Sequence, residues 1–198
     1  MREIGSFLLL LLLGASLAGL PRAYPQQHPF EGGVGIVYAP GHAFLLKAPD
    51  GWVLDREWRG SEPPEPVFYP VGFTAKDSPV LIRSGSMRAE SAGTAPIERF
   101  LEERAQVLAP PSGAGARAER VGECRLGKGA LAEVYSFVSE PGGQALLERI
   151  GCVATADSVD YIILDAKDRA FYERSLAAFA SILKSYIPFR GGPVYIPR

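Results

Sequence analysis

Between Arg117 and Asp165 four apolar stretches follow one another with hardly any chain between them, and no other feature limits the fold as tightly. They run Ala118 to Arg125, Ala130 to Val138, Ala145 to Ala154 and Ser158 to Leu164. The joints Gly127-Lys128-Gly129, Pro141-Gly142-Gly143 and Ala156-Asp157 carry turn chemistry and are too short for a parallel crossover, so neighbouring strands must pair antiparallel. Directly after them, Asp165 to about Tyr186 repeats Phe171, Leu176, Phe179, Ile182, Leu183 and Tyr186 at helical spacing. Asp165 is the expected cap, with Asp168 in the first turn and Lys184 in the last, each matched in charge to its end of the helix dipole. Pro188 stops this helix. A sheet with a helix laid across it follows.

The first half supplies shorter pieces. Ile36-Val37-Tyr38 predicts a short strand, Ala39-Pro40-Gly41 a turn, and His42 to Ala48 a second strand that ends at the turn signal Pro49-Asp50-Gly51. Trp52 to Asp55 starts the next apolar stretch. Arg56 to Pro66 is charged and holds Pro63, Pro64 and Pro66, which excludes a central strand and predicts a surface loop. Val67-Phe68-Tyr69 and Pro79 to Arg88 are extended again. Thr94-Ala95-Pro96 then opens a helix with a hydroxyl cap and a first-turn proline, and Ile97, Phe100, Leu101, Ala105 and Leu108 form its apolar face.

Of the 198 residues, 47% are hydrophobic and 22% charged, the balance of a folded soluble chain of about one domain. Met1-Arg2-Glu3 followed by apolar Phe7 to Leu20 and small residues is the pattern of a secretory signal peptide, too short for a comfortable span of about 20 residues. Cleavage after Ala18 or Ala23 fits; an uncleaved anchor is the alternative. The expected division is a signal peptide over 1–23, a flexible leader over 24–35, one α+β domain over 36–188 and a tail over 189–198. The destination is the periplasm or the outside of the cell. With 21 basic against 22 acidic side chains and no basic cluster, nothing favours nucleic acid as a partner.

Cys124 and Cys152 are an even pair in an oxidising compartment, which favours a disulfide. Register argues the other way. Both fall opposite Ala130 or Leu131 on the strand between them, so they stand about 10 Å apart, whereas the bond needs alpha carbons within about 7 Å. A bond and two buried free thiols both stay open.

Chemistry-bearing patterns are sparse. His42 is the one imidazole outside the leader, and Ser84-Gly85-Ser86 is not a strand-to-helix nucleophile elbow. No zinc motif is present, so no metal and no cofactor is expected, and Gly32-Gly33-Val34-Gly35 lacks the strand and helix of a phosphate loop. Asp50, Asp55 and Asp77 would make a hard-cation site only if their loops converge; Asp50 and Asp77 are more simply turn formers. Trp58, flanked by Arg56, Glu57 and Arg59 in a proline-rich loop, has the composition of an interface anchor. Packing of Trp58 over the sheet edge is the competing expectation. With Tyr69 and Phe73, Arg56, Trp58 and Arg59 make the candidate binding set.

The order of strands, helix, antiparallel strands and closing helix resembles the α/β/α arrangement of PsbP-type photosystem subunits and the Ran-binding proteins that share their fold. More closely, Gly51-Trp52-Val53-Leu54-Asp55, Val67-Phe68-Tyr69-Pro70 with Gly72, and Lys76-Asp77-Ser78-Pro79 resemble small exported bacterial proteins of unassigned function. The resemblance spans His42 to Tyr186 and implies an antiparallel sheet packed by two main helices. It brings no catalytic residues, because this fold hosts unrelated tasks. The expected function is that of an exported, non-enzymatic accessory or binding module that takes a protein, such as one of the envelope or the extracellular space, or another ligand through the loops of 56–76. A hydrolase using loop carboxylates such as Asp55 and Asp77 is the alternative.

Overall fold

The computed structural model describes residues 30–39, 41–56, 58, 65–88, 96–109, 115–139 and 147–189. In chain order the strands of the first half are β1 (Phe30–Glu31), β2 (Val34–Ala39), β3 (His42–Lys47), β4 (Trp52–Asp55), β5 (Val67–Pro70) and β6 (Val80–Arg88). Helix α1 (Pro96–Leu108) separates them from β7 (Ala116–Arg125), β8 (Leu131–Ser139), β9 (Glu148–Ala154) and β10 (Ser158–Ala166). Helix α2 (Arg169–Lys184) and β11 (Ile187–Phe189) follow. The fold is α+β, with antiparallel sheets and two α-helices among the described residues.

Eight strands form one sheet in the order β1-β4-β5-β6-β10-β9-β8-β7. The meander β7 to β10 pairs antiparallel as its short turns require, and β10 closes on β6, Ala166 opposite Val80 and Ser158 opposite Arg88. Successive side chains of a strand point to opposite faces, and each face has its own cover. Ile162, Leu164, Val153 and Ile82 pack with Phe179, Ile182 and Leu183 of α2. On the reverse face Ile150, Cys152, Val159 and Ile163 meet Ile97, Phe100 and Leu101 of α1, the stripe its periodicity predicted. Phe100 stacks on Tyr161 with ring centroids 4.8 Å apart. Arg104 of α1 donates through Nε to Oε1 of the buried Glu148 at 2.9 Å and through Nη2 to its Oε2, so the charge under the helix is paired.

A second sheet, β11-β3-β2, lies on the α2 side. Val37, Phe44 and Leu46 point inward and join the core beneath α2. Gly41, at φ +81°, makes the turn from β2 to β3, and Gly51, at φ +75°, the turn before β4.

Three expectations need correction. The flexible leader was expected to reach Gly35, yet Phe30 pairs with Leu54 and Glu31 with Val53; Gly32, at φ +67°, turns β1 into β2, and its N–H donates to the Trp52 carbonyl at 3.2 Å. The helix cap is Asp168, whose side chain accepts from the Phe171 N–H at 2.8 Å, because Asp165 is still held in β10 opposite Leu81 and Glu148. The tail expected from 189 begins as a strand, since Ile187 to Phe189 pair with β3. Residues 1–29 and 190–198, with the signal peptide and the rest of the tail, lie outside the described residues.

Candidate functional site

The small sheet is apolar on both faces, and among the described residues only one of them is covered. β2 alternates Val34, Ile36 and Tyr38 outward with Gly35 and Val37 inward. On β11 the outward pair is Ile187 and Phe189, opposite Leu45 and Ala43 of β3. Those five large side chains are 39 to 54% exposed, in rows that run across the sheet through Leu45 and Ala43. Single exposed apolar residues are ordinary; a contiguous patch of them is the usual mark of an interaction surface. Lys47, opposite Val34, supplies a charge at one end of the patch.

Beneath this sheet lies a buried carboxylate with three hydrogen-bond contacts to two side chains. Asp160 of β10 is fully buried, and a lone carboxylate in such a place costs several kcal/mol of desolvation unless partnered, roughly. Two groups partner it. His42 Nε2–H lies 2.8 Å from both Asp160 oxygens, and the Tyr186 hydroxyl donates to Oδ2 at 2.7 Å. Burial first, and then the bond and charge of Asp160, push the Tyr186 hydroxyl far above its ordinary range, so it stays a donor. The trio joins β3 and the end of α2 to the large sheet. His42 and Tyr186 also line a cavity of about 430 Å³ between β11 and the β9–β10 turn, with Thr155, Asp157 and Phe189 around it.

A histidine held by a buried aspartate is half of a nucleophilic triad, so the hydroxyls nearby decide whether it is one. Ser86 stands opposite Asp160 in the β6–β10 register, but its buried Oγ has no hydrogen-bond partner. Ser86 is therefore not bonded to the imidazole. The hydroxyls of Thr155 and Ser158 bond to each other at 2.8 Å across the β9–β10 turn. The trio is a clamp between layers.

The loop carboxylates are committed elsewhere. Asp77 accepts from the Thr74 N–H at 2.6 Å and from the Thr74 hydroxyl at 2.8 Å, and these bonds hold its carboxyl below the usual range, the wrong direction for a general acid. Burial, followed by the charge and hydrogen bond of Asp55, pushes Tyr69 from 10.0 up to about 12. Among the described residues no three His, Cys, Asp or Glu side chains are placed to hold a metal ion.

The candidate binding set comes apart. Tyr69 is buried, because it alternates with Phe68 on β5 and packs with Val53, Val67 and Ala75. Trp58 is half-buried against that same cluster: α1 lies over β7, β9 and β10, and the indole covers the stretch of sheet the helix does not reach. Arg56 is exposed, and so is Phe73, edge-on to Phe171 with centroids 6.4 Å apart. Arg59 and Glu57 lie outside the described residues. Cys124 and Cys152 are free thiols. They face Ala132 and Glu133, consecutive residues of β8, so they stand on strands either side of β8 and point to opposite faces. The disulfide is therefore withdrawn; burial raises the Cys152 thiol well above its ordinary value, as expected of an inert core cysteine.

The clamp and the outer face were not found from the sequence. The alternation of Val34, Ile36 and Tyr38 around Val37 was the available signal, but Val34 and Gly35 fall in the expected flexible leader, which leaves a three-residue strand too short to show two faces.

No protein-family model matches the chain. No curated protein matches it either. Among solved structures it is similar to the solution structure of cyanobacterial PsbP (CyanoP) from Synechocystis sp., at 13% sequence identity and a TM-score of 0.48, over 81% of this chain and 95% of that chain. No helix among the described residues is long and apolar enough to cross a membrane.

Proposed function

We propose that the chain is an exported, non-enzymatic accessory module that binds an envelope or extracellular protein through the outer face of its small sheet. The exposed rows of Val34, Ile36, Tyr38, Ile187 and Phe189 carry this reading. Export is supported by the signal-peptide pattern of residues 1–23. Recognition moves from the 56–76 loops to this face, since Trp58 and Tyr69 are occupied by packing while five large apolar side chains of the small sheet are not.

The test is capture of the tagged chain from its own cell envelope, comparing wild type with Ile187→Glu/Phe189→Glu. Both side chains point to solvent, so the variant is expected to keep its thermal midpoint. Wild type should retain one protein in stoichiometric amount and the variant at least about tenfold less of it, the loss of about 1.4 kcal/mol. Retention that ignores the double substitution, or wild type that retains nothing, defeats the proposal.

A further inference from the structure

The described strands leave four sheet edges, and three of them are blunted. β1 is two residues long. β7 is long, but it carries Arg117, Glu119, Arg120, Glu123 and Arg125, and a bulge breaks its register between Arg120 and Gly122. β11 is three residues long with Pro188 at its centre. Charge, bulge, brevity and proline are the devices by which proteins keep edges from pairing with another chain. β2 has none of them. Its six residues, Val34 to Ala39, hold no charge and no proline, and β3 is its neighbour on one side only.

The phase of the ladder shows which groups face that open side. The Ala48 N–H donates to the Gly33 carbonyl at 2.9 Å, one step before the Val34–Lys47 pair. Counting in twos along an antiparallel ladder, Gly35, Val37 and Ala39 bond towards β3, while Val34, Ile36 and Tyr38 turn their N–H and C=O groups outward. Lys47 agrees with this phase: its N–H points away from β2 and donates to Ser185 Oγ at 2.8 Å.

We infer that β2 pairs antiparallel with β2 of a second copy, about a two-fold axis at Ile36. Ile36 then faces its own counterpart, and Val34 and Tyr38 face each other's. Each is a hydrogen-bonded pair, so the outward N–H and C=O of Val34, Ile36 and Tyr38 are all used. The facing side chains are β-branched or aromatic, combinations that stabilise cross-strand contacts, and no like charges meet. A second copy is chosen over a foreign strand because of this self-match: the same three residues supply donors, acceptors and apolar surface to both sides of an isologous contact. The small sheets become one sheet of six strands. Ile187 and Phe189 stay exposed on both copies, so this pairing goes beyond the partner binding proposed above and does not depend on it.

Sedimentation equilibrium of the exported chain tests the pairing. The expected mass is twice that of one chain, falling towards one on dilution. Ile36→Pro removes an outward donor while sparing the bonds of Gly35 and Val37 to β3, and should weaken association about tenfold or more, since at least one net hydrogen bond is lost. Val121→Lys on the charged β7 edge should change nothing. If Ile36→Pro fails to fold, Ile36→Cys in a Cys124→Ser background keeps the question open to measurement: alpha carbons of a hydrogen-bonded pair lie about 5.5 Å apart, within disulfide range, so mild oxidation should link two chains. A chain that stays at the mass of one copy at every concentration overturns the inference. So does a dimer whose mass and crosslinking ignore position 36, or a monomer that holds a different chain's strand at this edge.

Discussion

Asp160 is a fully buried carboxylate, and its two donors come from distant parts of the chain. His42 is 118 residues away and Tyr186 is 26. Hydrogen bonds to a charged group are worth roughly 1.5–3 kcal/mol, and a buried group left short of a partner keeps its desolvation cost. Tyr186→Phe preserves the ring that packs 5.0 Å from Phe44 and deletes only the donor. Urea unfolding should therefore show a loss of about 1.5–3 kcal/mol. The double variant with Asp160→Asn should lose less than the sum of the two single losses, because each substitution removes part of the same network; strict additivity would mean the hydroxyl and the carboxylate act independently. No spacing in the sequence announces such a trio. The position of His42 at the head of β3 was legible, since it opens the apolar run that ends at Ala48. Its partner was not, since a long-range polar contact leaves no periodic trace.

Elements were legible where one face of a segment is apolar and the other is not. The spacing of Ile97, Phe100 and Leu101 placed α1, and short turns placed the antiparallel meander. What failed was the choice between like signals. Asp165 and Asp168 are equally good caps in sequence, and only the pairing of β10 with both β6 and β9 through Asp165 decides for Asp168. Asp168→Ala should cost about 1 kcal/mol, the usual loss of an N-cap. Asp165→Ala should cost under about 1 kcal/mol, because its exposed side chain makes a surface pair with Arg83 at 3.6 Å. Chemical denaturation of the two variants side by side checks the ranking; equal losses would return the cap to Asp165. β11 escaped for a related reason: Pro188 was read as a stop, yet an edge strand tolerates a residue without a donor. β1 escaped because two residues carry no periodicity.

At the scale of the whole molecule, four tyrosines distributed over every packed layer have their ionisation held back by burial. Tyr69 lies among β4 and β5, Tyr135 and Tyr161 on the α1 face, and Tyr186 beneath the small sheet. Desolvation is the largest cause for each, reinforced by a neighbouring carboxylate: Asp55 for Tyr69, Glu133 for Tyr135, Glu65 for Tyr161 and Asp160 for Tyr186. The sign of the linkage follows. A phenol whose value is raised in the folded state binds its proton more tightly there than in the unfolded chain. Its contribution is fully present below the unfolded value near 10.0 and is lost as pH climbs towards the folded one, about 12 for Tyr69. Stability should therefore be insensitive to these groups up to about pH 10 and fall steadily above it. Since the four sit in all three apolar clusters, one transition should expose them together. Phenolate absorbance and far-ultraviolet circular dichroism, followed through the same alkaline titration, should then move in step for this set. Tyr69→Phe removes one of the four and should make the decline between about pH 10 and pH 12 shallower. Ionisation of all eight tyrosines near pH 10 with the circular dichroism unchanged would show that the layers do not exclude water from these hydroxyls, and the packing of Asp160, Glu65 and Asp55 against them would have to be redrawn.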